Sequence, residues 1–168
     1  MQIQYRPGKT EDIDAICCMV HDAILEMERH HIFQWDEYYP IREDFVEDIR
    51  RGELWVGMTD EEICVVYTVN ELCDPEYQNG EWKYTDCAYR IVHRLCVNPK
   101  YQNLGVARTA LIHIEKELRK NNVGAIRLDV YSKNPFALAL YIRCGYTQTG
   151  IADWRKGRFY LMEKKLCE

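Results

Sequence analysis

The sequence predicts an α+β domain: a mixed α/β chain with a central, mostly antiparallel sheet flanked by helices. Three observations carry this expectation. Apolar runs rich in β-branched residues at 54–58, 62–70, 91–97 and 125–131 read as strands. Apolar stripes at helical spacing, from Ile13 to Met27 and from Gly105 to about Lys120, read as helices with one buried face. The order of elements (strand, two helices, several strands, helix, strand, helix, two strands) is that of mixed α and β structure.

The chain has 168 residues, 47% of them hydrophobic and 12% aromatic, which is enough to bury a sizeable core, and a single domain over 1–168 is expected. A net charge of −5, without any long Lys/Arg cluster, argues against nucleic acid as the main partner and for a small ligand. The eight cysteines, at 17, 18, 64, 73, 87, 96, 144 and 167, form no C-x-x-C pair and have no paired His spacing. They read as reduced thiols, and no metal site is expected. The first residues lack a basic segment followed by an apolar run, and no apolar run reaches membrane-spanning length. A cytoplasmic protein without a membrane partner is the expectation.

In chain order, Ile3 and Tyr5 alternate with polar residues as a short strand, closed by Pro7-Gly8. Thr10 is placed to cap a helix whose first turn holds Glu11 and Asp12, and the stripe Ile13, Ile16, Cys17, Val20, Ile24, Met27 carries that helix to about Glu28. From His30 to Pro40 the pattern breaks into a loop containing Phe33, Trp35 and Tyr38, which reads either as a binding loop or as a cover on the core. The adjacent His30 and His31 read as solvated or packed. A second helix spans about Arg42 to Arg51 and stops at Gly52. Strands at Leu54–Met58 and Glu62–Asn70 are joined by an acidic turn through Asp60 and Glu61. Residues 71–90 form a polar and aromatic insertion, punctuated by Asp74-Pro75 and Asn79-Gly80, that should lie near a ligand or be mobile.

Chemistry concentrates between Val92 and Arg108. A buried strand ends at Pro99, and small residues then open a helix. The first turn of a helix has amide donors without partners and a partial positive charge, so small residues there let a phosphate approach the backbone itself. Gln102, Gly105 and Ala107 have that spacing. Beyond it, Ala125–Tyr131 alternates as a strand, Asn134 can cap a short helix with Pro135 in its first position, and Gly145 ends that helix. Tyr146–Asp153 and Arg158–Leu166 close the chain as an antiparallel pair.

The set Leu95-Cys96-Val97, Gln102-x-x-Gly105-x-Ala107, Asn134 and Leu140-Tyr141-x-x-x-Gly145-Tyr146 resembles the GNAT superfamily of N-acetyltransferases. The resemblance covers essentially the whole chain and implies an acyl-CoA N-acyltransferase fold, with parallel fourth and fifth strands splayed apart for pantetheine. It implies acetyl-CoA as co-substrate, with Leu95, Cys96 and Val97 beside the pantetheine arm. The turn Gln102, Asn103, Leu104, Gly105, Val106, Ala107, Arg108 would hold the pyrophosphate, and Asn134 and Tyr141 would face the cofactor. Tyr141 occupies the position of the acid that protonates the leaving thiolate.

For the base, the position where some relatives place a Glu is Ile91 here, so that carry-over fails; His93 and Glu71 are the candidates, with a water chain as a third route. Many relatives carry Gly and a basic residue where this chain has Asn103 and Leu104, and Gly where it has Ala107. The resemblance puts the acceptor, a primary amine of a small molecule or peptide, between the loop around Trp35 and the acidic insertion around Glu71, and leaves a homodimer open. The competing expectation from another class is a non-catalytic acyl-CoA-binding or sensor domain, since fold alone does not fix function.

Overall fold

The computed structural model describes residues 2–59 and 62–166, so the Asp60-Glu61 turn and Cys167 lie outside the described residues. Seven strands, β1 (Gln4–Pro7), β2 (Leu54–Thr59), β3 (Glu62–Asn70), β4 (Tyr89–Val97), β5 (Ala125–Tyr131), β6 (Thr147–Trp154) and β7 (Gly157–Lys165), form one sheet in the order β1-β2-β3-β4-β5-β7-β6. The four helices are α1 (Ile13–Arg29), α2 (Arg42–Arg50), α3 (Val106–Lys120) and α4 (Pro135–Arg143). β4 runs parallel to β5 from Tyr89↔Ala125 to Ile91↔Arg127, whereas β1–β2, β2–β3, β5–β7 and β6–β7 are antiparallel. The mixed, mostly antiparallel sheet is the predicted one.

The chain divides into two compact units. The first holds the residues up to Val69 together with Arg94–Ala110; the second holds Asn70–His93 and the chain from Leu111 onward.

In the first unit, Ile16, Met19, Val20 and Ala23 of α1 pack with Phe45 of α2 and with Leu54, Val56, Val66 and Cys96 of the strands. The apolar stripe of α1 is therefore core, as its period requires. The helix start differs from expectation: Thr10 sits in a 3-10 turn (Thr10–Asp12), and the Asp12 carboxylate accepts the Lys9 N–H at 2.8 Å and the Arg6 guanidinium at 2.7 Å. A charged carboxylate holding both a backbone donor and a guanidinium outcompetes a threonine hydroxyl for this role. In the loop after α1, Ile32 is buried and Trp35 packs on the core, while Phe33 and Tyr38 are exposed.

On α2, Asp48 is buried and takes a hydrogen bond from the Thr68 hydroxyl at 2.7 Å. It also receives the Arg94 guanidinium at Oδ1 (2.7 Å) and at Oδ2 from Nε (3.0 Å), and Nη1 of the same arginine donates to the Tyr39 hydroxyl at 3.0 Å. Arg94 stands inside β4 with a left-handed φ of 50°, so its mostly buried side chain anchors a strained strand residue to α2.

In the second unit the insertion is strapped to β6. Its Pro75–Asn79 segment forms a 3-10 turn, the Glu81 N–H donates to the Thr149 carbonyl at 2.7 Å, and the Asn79 amide donates to the Ile151 carbonyl at 3.2 Å. Gly150 is required beneath it, because a Cβ there would lie 2.6 Å from the Asn79 carbonyl oxygen.

Neighbouring acidic residues of α2 should therefore respond differently to mutation. Asp48→Ala leaves the Arg94 charge buried without its carboxylate and should cost about 3–5 kcal/mol. Glu47→Ala removes only surface pairs with Arg50 and Arg51 and should shift the thermal midpoint far less. Calorimetric melts of the two variants decide this, and equal midpoints would contradict it.

Candidate active site

Within the first unit, β4 ends at Val97 and the chain passes through a 3-10 turn (Pro99–Tyr101) into the segment Gln102–Gly105. Asn98 fixes this exit, since its side-chain oxygen accepts the Lys100 N–H at 3.1 Å and its amide donates to the Ile63 carbonyl at 3.2 Å. Asn103 and Gly105 both have left-handed φ, 62° and 79°, with Leu104 between them 61% exposed. The first α3 bond is Thr109 N–H to the Gly105 carbonyl at 3.0 Å, so the amides of Val106, Ala107 and Arg108 precede the helical ladder. Nothing lies within 4 Å of where a Gly105 Cβ would project, so the space over this helix start is open to an anionic group approaching the backbone. Arg108 is exposed and Val106 is buried.

Along β4, Leu95 and Val97 are half-buried, and Cys96 is buried in the core. Burial pushes the Cys96 thiol up to about 12. His93 is half-buried on the same strand.

Within the second unit, α4 starts at Pro135 with the Asn134 side chain accepting the Ala137 N–H at 3.0 Å, the cap that the sequence predicts. Asn134 is therefore committed through one oxygen to its own helix. Tyr141 is buried, its ring packed edge-on at 5.7 Å from that of Tyr146. Burial raises the Tyr141 phenol well above its ordinary value, and the Asp129 carboxylate and Cys144 add to the rise. The Tyr146 hydroxyl lies 3.4 Å from Glu115, which also takes Lys164 at 2.7 Å. Glu71 is exposed and pairs with Arg90 at 2.6 Å.

Sequence reasoning passed over the polar residues of β5. Arg127 and Asp129 interrupt the apolar run Ala-Ile-Arg-Leu-Asp-Val-Tyr at a spacing of two, which places both on one face of a central strand. That signal was available. Asp129 accepts a hydrogen bond from the Tyr77 hydroxyl at 2.7 Å, and the buried Arg127 pairs with the buried Glu163 at 3.1 Å. Among the described residues no group of three or more His, Cys, Asp and Glu side chains forms a metal site, and no helix is long and apolar enough to cross a membrane.

A sequence model of the acetyltransferase (GNAT) family matches residues 24–146. A segment of 57 residues, 34% of this chain, is 37% identical to the ribosomal protein bS18 alanine N-acetyltransferase of Escherichia coli, and the chain spans 38% of that relative's length. A GNAT-family acetyltransferase structure from Streptococcus agalactiae superposes with a TM-score of 0.85 at 24% identity, over 97% of this chain and 95% of that one. The PaiA N-acetyltransferase of Thermoplasma acidophilum, crystallised with coenzyme A, superposes with a TM-score of 0.73 at 18% identity, over 98% of this chain and 99% of that one.

The thiols should separate by environment. At pH 8 iodoacetamide should label the exposed Cys18, Cys73 and Cys87 in the native protein and spare Cys96 until denaturant is added, because the raised pKa keeps that sulfur a thiol. Mass mapping of the labelled peptides checks this, and native labelling of Cys96 would contradict it.

Proposed function

The chain belongs to the GNAT family of acetyltransferases, and on that premise we propose that it is an N-acetyltransferase moving an acetyl group from acetyl-CoA to a primary amine. The observation that carries this reading is the open turn ahead of α3, where two left-handed residues expose a helix start to an anion. Gln102 to Arg108 would hold the pyrophosphate through backbone N–H groups. Leu95, Cys96 and Val97 would line the pantetheine arm, and Asn134 would face the cofactor.

In the reaction the neutral amine attacks the thioester carbonyl, the new C–N bond forms, and the C–S bond breaks. A base takes the proton leaving the nitrogen, and Tyr141 donates its phenolic proton to the departing thiolate. A phenol whose pKa is raised by burial holds its proton through neutral and mildly alkaline pH, as an acid must. His93, half-buried on β4, and Glu71 are the candidates for the base, with a water chain as the third route. Glu71, exposed and paired with Arg90, suits attraction of a cationic amine, and Trp35 borders the acceptor in this reading.

Three variants test the proposal. Gly105→Glu should abolish acetyl-CoA binding in calorimetry, while Gly105→Ala should cost about 1 kcal/mol in stability from its φ and leave measurable binding. Unchanged affinity in folded Gly105→Glu would remove the turn from the site. Tyr141→Phe should lower kcat by about 100-fold, with acetyl-CoA affinity changed less than about threefold. The wild-type kcat/KM should rise with pH to a plateau as amine and base lose protons, with no fall below pH ~10 from Tyr141. Binding of acetyl-CoA without turnover on any amine would leave a non-catalytic acyl-CoA-binding module.

A further inference from the structure

Burying a carboxylate on an apolar helix face costs several kcal/mol, so its partners show what it holds. Glu115 is 5% exposed on α3, on the face that buries Leu111, Ile114 and Leu118. An apolar residue of similar volume would be neutral or stabilising there, so stability alone does not account for the carboxylate. Its oxygens take the Lys164 ammonium at 2.7 and 2.8 Å, the Tyr146 hydroxyl at 3.4 Å and the Arg119 guanidinium at 3.5 Å.

Lys164 fixes the carboxylate from β7, and its ammonium also stands 5.6 Å from the Tyr146 ring centroid. Tyr146 is thus held at its hydroxyl by Glu115 and at its ring by Lys164. Burial raises the Tyr146 phenol well above its ordinary value and the Glu115 carboxylate raises it further. The phenol therefore keeps its proton and donates it to the hydrogen bond.

Tyr146 in turn touches Tyr141. The two rings meet edge-on at 5.7 Å with their planes 64° apart, and the Tyr146 N–H donates to the Tyr141 carbonyl at 3.0 Å where α4 ends. Along α4 the buried residue is Tyr141, and the rest of the helix is exposed or half-buried. The edge contact with Tyr146 therefore has a large share in setting where the Tyr141 ring lies. A hydroxyl at the tip of a ring must stay within hydrogen-bond reach of the thiolate it protonates, and a displacement of about 1 Å costs up to about 100-fold in rate.

We propose that Glu115 is a positioning residue for acetyl transfer: it anchors the Tyr146 hydroxyl, and the Tyr146 ring fixes the place of the Tyr141 phenol. This rests on the proposed N-acetyltransferase reaction with Tyr141 as its acid.

The experiment measures Glu115→Leu, Glu115→Gln and Tyr146→Phe, alone and combined with Tyr141→Phe. Glu115→Leu removes the anchor but fills the space, so the thermal midpoint should equal or exceed that of the wild type. Its kcat should nevertheless fall about tenfold, with acetyl-CoA affinity in calorimetry changed less than about threefold. Glu115→Gln keeps an oxygen for the Tyr146 hydroxyl and should restore most of the rate. Tyr146→Phe keeps the ring and loses the hydroxyl, and should reproduce the loss in kcat even where Glu115→Leu does not fold. In the Tyr141→Phe background none of the three should lower kcat further, because the hydroxyl they position is gone.

The Tyr141 ring is also followed without turnover, by fluorine NMR of protein containing fluorotyrosine, its line assigned through Tyr141→Phe. That line should broaden in Glu115→Leu and in Tyr146→Phe. Full kcat in Glu115→Leu and Tyr146→Phe, an equal fold-loss with and without the Tyr141 hydroxyl, or an unchanged Tyr141 line would overturn the inference while Tyr141→Phe still impaired turnover. Wild-type kcat in Tyr141→Phe would instead overturn the acid on which it rests.

Discussion

A guanidinium withdrawn from water on a central strand cannot stand without a carboxylate, and the ion pair between Arg127 of β5 and Glu163 of β7 is the constraint on which the second unit depends. Desolvating each ion costs several kcal/mol, so both need polar partners. Glu163 also accepts the Lys83 N–H at 2.9 Å, Arg127 reaches the Tyr84 carbonyl at 3.4 Å, and the faces of Trp82 and Tyr89 cover the guanidinium. One buried pair thus fixes the insertion from both its backbone and its rings.

The same logic orders the first unit around Arg94 and Asp48. There the buried charge sits on a residue whose backbone is left-handed within a strand, so the side-chain anchor and the backbone distortion stabilise each other. Tyr39, at the end of the aromatic loop, completes the arginine's partners. The loop between α1 and α2 is therefore tied to β4 by chemistry rather than by length.

Much of the fold was legible because local signals and tertiary demands agree. β3 and β5 span the predicted residues, Asn134 caps α4, and α2 stops at Gly52, since period, cap and stop are each written within a few residues. Legibility fails where partners are distant in sequence. Glu163 lies 36 residues from Arg127, and Arg94 lies 46 from Asp48; no local pattern foretold either pair. The strapping of residues 75–81 to β6 is similarly non-local, and a turn-rich polar composition gave no hint of it. For the candidate site, motif spacing singles out the turn ahead of α3 and Tyr141, because both are written in short local patterns. Motif spacing says nothing of Asp129, whose partner, the Tyr77 hydroxyl, lies 52 residues away in sequence.

The turn ahead of α3 also explains why its residue types can differ from those common among relatives. What an anion would meet there is backbone N–H, and the orientation of those groups is set by φ rather than by side-chain chemistry. Asn is the non-glycine residue that most readily takes left-handed φ, because its short amide can bond locally, so Asn103 at 62° preserves the path that a glycine would take. Leu104 then points its side chain to solvent instead of filling the turn, and Ala107, inside the helix, adds only a methyl group. Gly105 is different. At φ 79°, with open space where a Cβ would stand, any side chain would be strained and a large one would intrude on the approach to the amides, so of these positions it is the one least open to substitution.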